Sequence, residues 1–278
     1  MIRHTSYVRN MDTMSRPLDS TADLGWAAQF VADEVYRHCS TAAGGAVTFL
    51  VSGMGTKLWR VSLSAEGKLS LVDSLCVGQA TPWVALCRGG RSGFLIQRRD
   101  SDRAAVARGF TIPDSGAQME LAPSLAVSCG GIDAVHGIVV ETPNQPSWLL
   151  TANADGVGVV AVDTQSSPPK AIATTMRIAS SKNSQVVAAR SPSTASVTLF
   201  VTNLGGDALT RTQLDVTTGT LSVVGADPLP AGTGPRRMLI TKSAAYVIGE
   251  TAATVTTIKV PSGGEGMLQR LAVRVNTS

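Results

Sequence analysis

Aromatic side chains make up only 4% of this 278-residue chain, and charged ones only 16%. The first scarcity excludes a stacking platform for single-stranded nucleic acid, which needs several rings along one groove. The second, with a mean hydropathy of +0.15, excludes a disordered, charge-rich chain. The net charge is +4 and the isoelectric point lies near 9.0. No run of Lys or Arg exceeds two residues, so the excess is not gathered to grip a phosphate backbone. A small anionic ligand remains compatible with it.

The four cysteines, Cys39, Cys76, Cys87 and Cys129, never take C-x-x-C spacing, and they read as reduced, small apolar residues of a cytoplasmic protein. His4, His38 and His136 lie far apart in the sequence, so neither a zinc set nor any other cofactor is expected. No apolar run is long enough to predict a transmembrane helix. Phosphate-binding Gly-x-x-x-x-Gly-Lys, dinucleotide-binding Gly-x-Gly-x-x-Gly opening a helix, and nucleophile-bearing Gly-x-Ser-x-Gly are all absent, which removes three common chemistries.

What the chain does have is recurrence. Phe49-Leu50-Val51, Phe94-Leu95-Ile96, Trp148-Leu149-Leu150, Leu199-Phe200-Val201 and Tyr246-Val247-Ile248 are short runs of β-forming apolar residues. Their reference positions Leu50, Leu95, Leu149, Phe200 and Tyr246 are 45, 54, 51 and 46 residues apart. A second β-rich run follows most of them, across turns such as Ser52-Gly-Met-Gly-Thr56 and Asn203-Leu-Gly-Gly-Asp207. A third opens on a turn glycine, in Gly67-Lys-Leu, Gly219-Thr-Leu and Gly266-Met-Leu. Units of three or four strands at this spacing cannot bury their own apolar faces and must stack on their neighbours. The fold class is therefore all-β, a β-propeller of about five countable blades over residues 46–278.

Residues 1–45 stand outside the repeat as an N-terminal extension. Asp19, Ser20 and Thr21 precede Leu24, Ala27, Ala28, Val31 and Val35 at helical spacing, which predicts one amphipathic α-helix that covers the propeller or engages a partner protein. Ahead of it, Arg3, Arg9 and Arg16 with the single acid Asp12 read either as a frayed terminus or as a targeting segment.

Three motifs carry a family resemblance. Gly-Thr-Gly-Pro-Arg-Arg (232–237), Tyr-Val-Ile-Gly-Glu (246–250) and Asn-Leu-Gly-Gly-Asp (203–207) resemble the Gly-x-Gly-Pro-Arg-His, Tyr-x-x-Asn-Glu and Asp-Leu-Gly-x-Asp of the seven-bladed β-propeller lactonases. That family includes propeller-type 6-phosphogluconolactonases and carboxy-muconate lactonizing enzymes. Leu58-Trp-Arg-Val61 and Pro82-Trp-Val-Ala-Leu86 are similar to its opening units, and the likeness runs from about 46 to 275. The resemblance implies hydrolysis of a sugar-acid lactone such as 6-phosphogluconolactone, with no cofactor and no nucleic-acid or membrane partner.

The departures weaken that expectation. Seven blades are usual in the family and five are countable here, so the domain reads as incomplete at its C-terminal end. Arg237 stands where the family has a histidine, and Ser180-Ser-Lys-Asn-Ser-Gln185 supplies none either. Weak lactonase activity is one expectation, and a non-catalytic binding or interaction module is the alternative.

Lactone hydrolysis requires a base or positioned water, donors for the developing oxyanion, and positive charge for a carboxylate or phosphate. At the matched positions, Arg236, Glu250 and His136 are the candidate catalytic residues, and Arg237 and Asp207 the candidate substrate-binding ones. A guanidinium binds carboxylate or phosphate bidentately, Glu250 either acts as base or orients Arg236, and His136 titrates near neutrality. Neighbouring residues on a strand point to opposite faces, so only one of Arg236 and Arg237 is expected at the central channel, and the resemblance favours Arg236. Each also has a plainer role. Glu250 is then a solvated turn acid, His136 a strand-edge hydrogen-bonding group, and Asp207 a cap for its turn.

Overall fold

The computed structural model describes residues 47–53, 55–113, 117–123, 126–180, 182–188, 195–240, 244–259 and 269–271. The helix expected near residues 19–35 lies outside them. Among the described residues, five antiparallel sheets follow one another in chain order. The first contains β1 (Val47–Val51), β2 (Lys57–Leu63) and β3 (Leu69–Cys76). The second contains β4 (Ala80–Leu86), β5 (Ser92–Arg98), β6 (Ala104–Thr111), β7 (Glu120–Leu121) and β8 (Val127–Ile132). In the third are β9 (His136–Val140), β10 (Ser147–Asn153), β11 (Gly156–Asp163) and β12 (Lys170–Ala179). The fourth holds β13 (Asn183–Ala188), β14 (Ser196–Asn203), β15 (Ala208–Asp215) and β16 (Leu221–Pro228). The fifth holds β17 (Pro235–Ile240), β18 (Ala244–Gly249), β19 (Thr254–Lys259) and β20 (Gln269–Leu271).

The apolar runs became these sheets because successive side chains on a strand serve opposite interfaces. Leu149 packs with Phe94, Ile96 and Val160 between the second and third sheets. Its neighbour Leu150 packs with Val159, Leu199 and Val201 between the third and fourth. Phe200 then turns to Val247 and Ile258 of the fifth sheet, and Leu95 turns back to Leu58 of the first. A sheet covered on both faces needs consecutive apolar residues rather than alternation. Two indole N–H groups repeat one stitch between adjoining sheets: Trp83 Nε1 donates to Gly137 O at 2.8 Å and Trp148 Nε1 to Val216 O at 2.7 Å.

The uneven spacing has a structural cause. In the second sheet both β7 and β8 pair with β6, and the extra strand lengthens the interval from Leu95 to Leu149. The first strands β4, β9, β13 and β17 neighbour one another in turn, which puts their starting ends at one end of the assembly. The fifth sheet leaves Leu239, Tyr246 and Ile248 exposed on the face that its core residues Ala245 and Val247 do not use.

Candidate functional site

Among the described residues, the loops entering those first strands bring several charged side chains together. A cleft of about 170 Å³ is lined there by Asp133 and Val135 before β9, Lys182–Ser184 at β13, and Arg236 and Arg237 on β17, with Ala154 and Leu204 from two strand turns.

Asp207 shapes the approach to the arginines from outside the cleft lining. It sits in the left-handed region at φ 45°, at the end of a single 3-10 turn, Leu204–Gly206. Its Oδ1 accepts from Gly234 N and its Oδ2 from Gly232 N, each at 2.7 Å. Those backbone donors, Gly234's foremost, hold its carboxyl below the usual aspartate range. Both oxygens are thereby committed to the Gly232-Thr-Gly234 turn that delivers Pro235 and the arginines. The turn is tied again by Glu250 N, which donates to Gly234 O at 2.8 Å.

The expectation that strand alternation would bring only one arginine to the cleft is corrected by the register. Pro235 pairs with Gly249, yet Arg237 pairs with Ile248, so Arg236 is the extra residue of a bulge. A bulge interrupts alternation and re-aims side chains, and both arginines line the cleft. Arg236 Nη1 donates to Glu250 Oε2 at 2.6 Å, with the two side chains 42% and 49% exposed. Arg237 is more enclosed. Its Nη1 donates to Ser184 O at 2.6 Å, and its Cζ lies 5.2 Å from the Trp83 ring centroid. Burial draws its pKa down to about 10, helped by the Arg236 charge and opposed by Glu250, which still leaves it cationic at neutral pH.

His136 opens β9 and is only 4% exposed. Its ring lies against Trp83 at a centroid distance of 4.0 Å and a 40° tilt. Arg236 and Glu250 thus meet directly, and the Trp83 ring touches both the His136 ring and the Arg237 guanidinium.

Lys182 and Trp83 also stand at this site, though neither is among the residues that the motifs single out for chemistry. Lys182 adopts φ 47°, its N–H donating to Ala154 O at 2.6 Å and its C=O accepting from Leu204 N at 3.1 Å. Its segment, Ser180-Ser-Lys-Asn-Ser-Gln185, carries no histidine and no motif. Asp133 is engaged by Arg103, whose Nε donates to Oδ1 at 3.2 Å, with Arg98 Nη1 at 4.0 Å. Two of the cleft's charges are therefore matched, Arg236 by Glu250 and Asp133 by Arg103. Neither Lys182 nor Arg237 forms a salt bridge among the described residues, so the cleft carries surplus positive charge.

Among the described residues no group of three or more His, Cys, Asp or Glu could hold a metal ion. No helix among them is long and apolar enough to cross a membrane. Cys87 and Cys129 are buried thiols whose pKa desolvation pushes up to about 12, which makes them poor nucleophiles.

Several solved structures share this architecture. A candidate 6-phosphogluconolactonase from Bacteroides fragilis is 16% identical with a TM-score of 0.67, the match covering 85% of this chain and 69% of that one. Its counterpart from Bacteroides uniformis is 13% identical with a TM-score of 0.66, covering 81% and 67%. A protein from Lactobacillus plantarum is 15% identical with a TM-score of 0.59, covering 80% and 66%. At such identities the likeness speaks for the fold. Among curated proteins, none matches the chain. Residues 44–276 match the family described as lactonase, 7-bladed β-propeller, and the chain belongs to that family.

Proposed function

We propose that the protein is a lactonase-type hydrolase whose cleft holds the anionic group of a sugar-acid lactone such as 6-phosphogluconolactone. The observation that carries this reading is the convergence of Lys182 and Arg237, neither in a salt bridge among the described residues, beside the Arg236–Glu250 pair. The two unmatched cations attract the substrate's carboxylate or phosphate. A water whose proton passes to Glu250 adds its oxygen to the lactone carbonyl carbon, and the Arg236 guanidinium donates to the oxyanion that develops. The bond from that carbon to the ring oxygen then breaks, the ring oxygen takes the proton from Glu250, and an open-chain hydroxy acid leaves.

A second reading, a propeller that binds a sugar acid without turning it over, is favoured by the position of His136, which is buried against Trp83. One experiment separates the two. Lactone loss is followed at neutral pH with wild type and Arg236→Ala, beside calorimetric binding of the product acid, 6-phosphogluconate. Hydrolysis above the spontaneous rate, reduced on the order of 10²-fold by the substitution, supports the enzyme. Binding with no rate above background supports the module, and neither binding nor turnover overturns both.

A further inference from the structure

Trp83 lies on β4 of the second sheet, and Arg237 on β17 of the fifth. Between their first strands stand β9 and β13. Arg237 nevertheless reaches across to bring its Cζ 5.2 Å from the Trp83 ring centroid, within the range where an aromatic face attracts a guanidinium. The indole is itself held in place. It is 7% exposed, its Nε1 donates to Gly137 O at 2.8 Å, and the His136 ring lies 4.0 Å away by centroids. The guanidinium has a second anchor on the fourth sheet, where Ser184 O accepts from Nη1 at 2.6 Å. A long side chain with several rotatable bonds loses most of its freedom when fixed at two points by different sheets.

We propose that Trp83 is a positioning residue for oxyanion binding: its indole face holds the Arg237 guanidinium across the ring axis, so that the remaining N–H groups meet carboxylate or phosphate oxygens in a set orientation. This deepens the reading of the cleft as a ligand site and rests on it. Preorganisation of this kind raises affinity because the ordering cost is met before the ligand arrives. Burial of the guanidinium, already seen in its lowered pKa, strengthens the attraction to the ring by removing competing water.

The test is a double-mutant cycle. Calorimetry measures binding of 6-phosphogluconate, gluconate and inorganic phosphate to wild type, Trp83→Leu, Trp83→Phe, Arg237→Ala and the two double variants. The gluconate and phosphate arms tell whether a carboxylate or a phosphate is the group held. Loss of the ring in Trp83→Leu is expected to weaken binding about tenfold, and Trp83→Phe, which keeps a weaker aromatic face, about threefold. In the Arg237→Ala background neither change at Trp83 is expected to matter further. That non-additivity marks positioning through Arg237, because general loosening of the fold would lower affinity equally in both backgrounds. Equal factors in the two backgrounds, or full affinity in both Trp83 variants, overturn this inference alone. If Trp83→Leu fails to fold, the cycle with Trp83→Phe decides. Absence of binding by the wild type to all three probes overturns the cleft reading, and this inference with it.

Discussion

Arg236 and Glu250, fourteen positions apart, close a 2.6 Å salt bridge from the bulge in β17 to the residue that follows β18. Both side chains are about half exposed, and a pair so well solvated adds little to stability. Its consequence is electrostatic: Glu250 offsets one cation of the cleft, and it is the carboxylate to which the proposed hydrolysis assigns the role of base.

Replacing Glu250 by Gln is therefore expected to separate binding from turnover. Stability should change by less than about 1 kcal/mol. Affinity for 6-phosphogluconate should rise severalfold, because no carboxylate then offsets the Arg236 charge, while lactone hydrolysis falls on the order of 10²-fold with loss of the base. Thermal denaturation, calorimetry and a lactone-loss assay read the three quantities. Weaker product binding in the variant would count against this account of the pair.

Lys182 is exposed and carries its charge without a carboxylate partner among the described residues. Lys182→Gln should weaken binding of the same acid about fivefold, roughly 1 kcal/mol, with the effect fading as salt is raised. The thermal midpoint should stay near that of wild type. An affinity loss that persists undiminished at high salt would point to a shape effect instead.

For Asp207 the prediction is one of pH. Its carboxyl is depressed on folding by the Gly234 and Gly232 amides. A group shifted in that direction adds stability that is fully present above its unfolded value, about 4, and is lost as pH falls through the folded value. Asp207→Ala should thus melt below wild type at neutral pH, and the gap should narrow as pH drops below about 4. Anion binding should suffer as well, because the turn carrying Arg236 and Arg237 loses its two ties. A melting gap that stays constant through the carboxylate range would show that the bonds matter less than side-chain packing.

Gly158 and Gly53 form a contrasting pair. A Cβ at Gly158 would stand 1.8 Å from the Cys129 carbonyl oxygen, whereas one at Gly53 meets nothing within 4 Å. Because the obstacle at Gly158 is backbone, Gly158→Ala should cost about 3 kcal/mol or prevent folding, and Gly53→Ala should stay within about 0.5 kcal/mol of wild type. Denaturant midpoints compare them. A tolerant Gly158 would mean that β8 and β11 approach less closely than described.

The repeat was legible because each apolar run holds adjacent residues bound for opposite interfaces. Leu149 and Leu150 are neighbours in the chain but belong to different cores, and that demand leaves a dense apolar signature. The turn motifs were legible for a related reason: left-handed Asp207 and the two amides it holds require particular residue types at fixed offsets. Of the candidate residues, Arg236 and Glu250 came from motifs that are close in sequence, and they meet across one strand hairpin.

Other features left no local trace. The bulge that turns both arginines to the cleft depends on the pairing of β17 with β18, and alternation alone gives the opposite expectation. Lys182 enters the cleft because the loop before β13 is bonded to Ala154 and Leu204, residues with no charge or motif to announce them. The approach of Arg237 to Trp83 spans more than half the chain and three intervening sheet boundaries. Composition and periodicity determined that this chain forms stacked β-sheets with a basic Gly-Pro-Arg-Arg turn, since burial on both faces and turn geometry act within a few residues. Which side chains share the cleft, and which charges there go unmatched, was decided only when the first strands gathered around one axis, because those distances are set by packing between sheets.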